Sequence, residues 1–198
     1  GSLFVTGHPR LPYGELPDGS RVAEVSIPAP AVADHPSELP QAEFLQPLSE
    51  VTQGMFDGLD ELPRIGLAVL GQPGGALLHI AWGAHFQEPP QPSHGFVSMD
   101  LSAPAPQGAW YVGDARLYAV NGYLFTAPAA WADEHTSGRR LITGRYRDGG
   151  WGGKGPALFA YDPFEGGGPP AAGERLAATR LLQYADSEDD AEPASQSV

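Results

Sequence analysis

The chain has 198 residues, 41% of them hydrophobic, enough for the packed core of one domain, while Gly 26 and Pro 21 together approach a quarter of the chain and leave little room for long helices. Lys+Arg 11 against Asp+Glu 24 gives a net charge of −13, which repels phosphate backbones and excludes nucleic acid as a partner. Cys 0 removes disulfides, thiolate metal sites and cysteine nucleophiles together; no apolar run approaches the roughly 18 residues of a spanning helix and no charged flank precedes an apolar run at the start, so neither a membrane span nor a signal peptide is expected.

In chain order, the first strand signal is Leu3-Phe4-Val5-Thr6-Gly7-His8, followed by a Pro/Gly-rich loop and Val22-Ala23-Glu24-Val25-Ser26-Ile27-Pro28. Ala42 to Leu48 and Ile65 to Leu70 are apolar runs of strand length bounded by turn residues. Leu77 to Gly83 and Gly95 to Asp100 form the next pair, again around a Pro-rich loop, and Ala109 to Val112 and Gly122 to Thr126 follow. The last pair is Arg140 to Arg145 and Ala157 to Pro163, around a Gly-rich loop. Only Pro170 to Leu182 is rich in Ala and Leu, and its end, Thr179 to Tyr184, reads as an outer strand. Residues 184–198 hold Asp186, Glu188, Asp189, Asp190 and Glu192 with almost no aliphatic side chain, and are expected to be an acidic disordered tail.

Val25, Val97 and Phe159 occupy equivalent places in three blocks of strand, long loop and strand, at intervals of roughly 60 to 70 residues. With the intervening runs, each unit supplies short antiparallel strands, the pattern of β-propeller blades. The expected fold is therefore all-β and β-propeller-like: about three four-stranded antiparallel blades, a partial ring, over residues 1–183 with blade boundaries near 48 and 115. The chain would enter at the second strand of its first blade. Such an arc would need the remaining propeller blades or a second copy of the chain to close the ring.

The order of Ser2 to His8, Val22 to Pro28, Phe44 to Leu48, Gly95 to Ser98, Pro128 to Trp131 and Gly155 to Pro163 resembles a family of large, uncharacterised bacterial propeller-like proteins. The resemblance spans about residues 2 to 184, implies the fold, and brings no catalytic residues with it.

In a blade, the loops between second and third strands emerge together on one rim. Here these loops run from His8 to Arg21, Ala84 to His94 and Arg145 to Gly155, so the candidate ligand-binding residues are His8, His85, Arg145, Tyr146, Arg147, Asp148 and Trp151, with His94 expected on the same rim. Arg139, Arg140, Arg145, Arg147 and Lys154 are five of the eleven basic residues, crowded into one stretch. Arginine forks match carboxylate or phosphate, and Tyr146 and Trp151 can stack on a sugar, which points to a carbohydrate or an anionic small molecule. The competing reading pairs these arginines with the acidic surface.

A metal site is not expected, because Arg145 stands where a third ligand would join His8 and His85; no cofactor is expected either. His79 alternates with apolar neighbours and is expected as a hydrogen-bonded core or face residue. Asp133 and Glu134 are expected in a first-to-second strand loop on the opposite face, where adjacent carboxylates are simply solvated. The reading is a non-enzymatic module with a structural or ligand-binding role, in an extracellular or periplasmic setting. The alternative is part of a propeller glycoside hydrolase or lyase with its catalytic residues in other blades.

Overall fold

A computed structural model describes residues 1–7, 21–55, 66–82, 91–113, 122–145 and 156–184, and its architecture is mostly β. The first sheet is an antiparallel meander of β1 (Ser2–Thr6), β2 (Arg21–Ser26) and β3 (Phe44–Glu50). The second is a meander of β4 (Gly66–Gln72), β5 (Gly75–Ala81), β6 (His94–Ser98) and β7 (Gln107–Val112). The third begins with β8 (Tyr123–Thr126), β9 (Leu141–Arg145) and β10 (Ala157–Tyr161). The chain then adds β11 (Arg175–Leu176) to the free edge of β7, in parallel, and returns as β12 (Ala178–Leu182) beside β10.

The expectation of four antiparallel strands in every unit is corrected in the middle sheet, which has five with one parallel pair. Backbone bonds hold the extra strand: the Gly173 amide donates to the Ala109 carbonyl, Tyr111 to Glu174 and Gly113 to Leu176. The Arg175 guanidinium also lies over the Tyr111 ring, 5.0 Å from its centre. Covering β7 removes an open row of donors and acceptors from that edge.

Local chemistry explains the strands. The β4–β5 hairpin pairs Gln72 with Gly75 across Pro73-Gly74, where proline presets the first turn position and Gly74 takes a φ of 131°, closed to most side chains. Between β8 and β9, where a loop was expected, stands a short helix, α1 (Ala129–His135), that starts after Pro128 and buries Ala132.

The three sheets stack face to face. Val22, Val51, Leu78, Ile80, Trp82, Val97 and Leu101 fill the junction of the first and second sheets. Gln46 ties the same junction, donating to the Glu24 carboxylate at 2.7 Å and the Met99 carbonyl at 2.9 Å while accepting from the Leu101 amide. Ala68, Leu70, Phe96 and Trp110 meet Leu124, Leu141, Phe159 and Tyr161 between the second and third sheets. There β4 and β8 come so close that a Cβ on Gly66 would stand 2.6 Å from the Leu124 Cβ and 2.8 Å from the Leu124 nitrogen. No helix among the described residues is long and apolar enough to cross a membrane.

Candidate functional site

Successive antiparallel strands send alternate connections to one end of the stack. Val22 and Val51, beside the ends of β2 and β3, pack against Trp82, which follows β5. The Trp82 amide donates to the Ser93 carbonyl, and Ser93 donates to Trp110. Gly66 pairs with Ala81 and abuts Tyr123 and Leu124, while the Gly122 amide donates to the Gly144 carbonyl. These contacts form one continuous chain, so the strand ends that flank residues 8–20, 56–65, 83–90, 114–121 and 146–155 lie together.

Beneath that end, the otherwise apolar junction of the second and third sheets carries several buried polar side chains. Alternation along β5 sends Leu78 and Ile80 to the first sheet and leaves His79 with Leu77 and Ala81 on the opposite side. His79 is fully buried, edge-on to Phe96 with ring centres 5.6 Å apart. Neither of its ring nitrogens has a hydrogen-bond partner among the described residues, and the same holds for the buried Tyr161 hydroxyl. The expectation that His79 lies in the core is met, and the expectation that it is hydrogen-bonded there is not.

His94 is the first residue of β6 and wholly buried, which corrects its placement on an open rim. Its Nε2 lies 2.6 Å from the Thr143 hydroxyl across the junction, its Nδ1 lies 2.9 Å from the Ser93 hydroxyl, and its ring meets Tyr161 edge-on at 5.2 Å. The tautomer follows from the partners. Thr143 donates its only hydroxyl proton to the Tyr123 carbonyl at 3.0 Å, because a carbonyl can only accept. The Thr143 oxygen therefore accepts from Nε2–H, and Nδ1 accepts from Ser93. Burial holds His79 at a pKa of about 4 and His94 at about 3, with the neighbouring His79 lowering His94 further. Burial raises the Tyr161 phenol well above its usual range. Near neutral pH all three rings are uncharged, so they enter the seam as neutral donors and acceptors.

Arg145 closes this seam at the loop-bearing end. It is the last residue of β9, shares a face with Thr143 by alternation, and is 1% exposed, so its side chain is interior rather than part of an open rim. Gly122 leaves the space it fills, since a Cβ there would stand 3.1 Å from the Arg145 Cγ. His8, His85, Tyr146, Arg147, Asp148 and Trp151 lie outside the described residues. Arg139 follows the surface-pairing reading: its Nε and Nη2 donate to the two Glu165 oxygens at 3.0 and 2.7 Å, and its Nη1 donates to Thr179. Asp133 and Glu134 sit on α1, both exposed.

Sequence reasoning missed Ser93, Thr143 and Tyr161. The alternation Leu141-Ile142-Thr143 was a usable signal, because it sets Thr143 on the face of a core leucine. Among the described residues no three His, Asp or Glu side chains converge in a way that could hold a metal ion. No protein family matches the chain, and no curated protein or solved structure is significantly similar to it.

Proposed function

We propose that this chain is a β-propeller-like module with a non-enzymatic, structural or ligand-binding role, and that its ligand is a carbohydrate or an anionic small molecule taken at the end where the long connections leave the strands. The observation that carries the reading is the continuous chain of strand ends from Val22 through Trp82 and Gly66 to Arg145, which gathers at one end of three stacked meanders the strand ends that flank the five longer connections. The close contact of β4 with β8, the first strands of consecutive sheets, suits the step from one blade to the next. The order of motifs that resembles bacterial propeller-like proteins supports the same arrangement.

Of those connections, the one after Arg145 combines Arg147, Lys154, Tyr146 and Trp151, forked or point cations beside rings, in a chain otherwise rich in acids. Calorimetric titration of acidic sugars and sugar phosphates into the parent protein and Arg147→Ala tests the proposal. Loss of one charged hydrogen bond weakens binding by about 1 to 3 kcal/mol, and added salt weakens it further. Equal binding by both proteins places the site elsewhere. Silence across the whole panel overturns the ligand and leaves the structural role.

A further inference from the structure

The two outer sheets of the stack each carry exposed apolar side chains on the face turned away from the second sheet, and the two faces differ in shape. On the first sheet, Phe4 and Val22 point inward to the second sheet, so the opposite face presents Leu3, Val25 and Phe44, paired in one row across the three strands. Leu3 is 54% exposed and Phe44 65%, at the two ends of a row whose middle residue, Val25, is half-buried. On the third sheet, alternation sends Phe125, Ile142 and Leu158 outward, opposite the face that meets the second sheet. With Trp131 of α1 and Leu181 they line an open groove of about 540 Å3 whose walls are almost wholly apolar.

We propose that this groove receives the outer face of the first sheet of a second copy of the chain, in a head-to-tail junction of sheet on sheet. Three observations select that occupant. Projecting side chains on one face meet a hollow on the other, as a knob meets a hole. The new junction repeats the order already present twice within the chain, in which each sheet lays its far face on the near face of the next. Charge also agrees: Arg140 stands at the wall of the groove, its Nε donating to the carbonyl of Ala127, one of the lining residues. Among the described residues, the segment around the projecting row carries Asp34, Glu38 and Glu43 and no cation beyond Arg21. Because two different faces meet, the contact is heterologous and leaves one free face at each end, so further copies add until a ring closes.

The test is the mass in solution of three proteins, the parent, Phe44→Glu and Phe125→Glu, by sedimentation velocity at rising concentration. Both substitutions are at exposed positions, and an unchanged far-ultraviolet spectrum and melt show that the variants fold. The parent is expected to associate with concentration, and each variant alone to remain at the monomer mass of 20.9 kDa. An equal mixture of the variants is expected to form a one-to-one dimer and to stop there, since Phe44→Glu retains the groove and Phe125→Glu retains the projecting row. A parent that stays monomeric at every concentration overturns the proposal, and occupation of the groove by another segment or protein then remains. Self-association by either variant alone also overturns it, because that requires like faces to meet.

Discussion

Acidification from about pH 7 to about pH 5 should weaken the fold through two residues, His79 and His94. In the unfolded chain a histidine titrates near 6.5, whereas burial holds these two at about 4 and about 3 in the folded protein. Both folded values are depressed, so the unfolded state binds more protons in this window and stability rises with pH. The loss begins as pH falls through about 6.5 and continues until the folded values are reached. Between about pH 7 and about pH 5 each histidine removes about 2 kcal/mol, and the pair about 4 kcal/mol, a large part of a marginal total. Urea unfolding at the two pH values measures this directly. His79→Leu isolates one share, because it removes two buried nitrogens that have no partner among the described residues. The variant should gain about 1 kcal/mol near neutral pH and lose only about 2 on acidification. An equal pH dependence in parent and variant would refute the reasoning, as would a parent whose stability is flat across the window.

Thr143→Val should lower stability by about 1 to 3 kcal/mol, since it strands the Nε2–H of His94 in the interface, and Thr143→Ser should recover most of the loss in the same urea assay. Gly66→Ala should cost a similar amount, about 1 to 3 kcal/mol, read as a lower melting temperature, because the added methyl meets the backbone nitrogen of Leu124 at 2.8 Å and β4 must move away from β8.

Strand positions were legible because their causes are local: short β-branched and aromatic runs end at glycine, proline and asparagine or aspartate. The strand β11 was not, since Arg175-Leu176 has no pattern of its own and exists only because β7 offers a free edge. The helix α1 spans seven residues, too few for a helical period to show against the alanines around it. The site divides in the same way. Alternation put His79 on an interior face, but His94 follows a run of prolines and reads as loop, and its bond to Thr143 joins residues 49 positions apart. Which face a strand turns inward is written in its alternation; what stands opposite depends on how the sheets stack.

That dependence gives the polar seam a structural meaning. A wholly apolar junction between the second and third sheets would tolerate sliding, because leucine and phenylalanine are satisfied by many neighbours. The His94–Thr143 bond is met in one register only, and Thr143 is in turn fixed by the Tyr123 carbonyl, so β6, β9 and β8 are locked to one another by a single hydroxyl. Slipping β9 by one residue would carry Thr143 to the outer face and bring Ile142 against the imidazole, orphaning a buried donor. Buried polar groups can purchase specificity at the expense of stability. Here the two roles fall on different histidines: His94 fixes the register, whereas His79, without such a bond among the described residues, is the one whose replacement by leucine should raise stability.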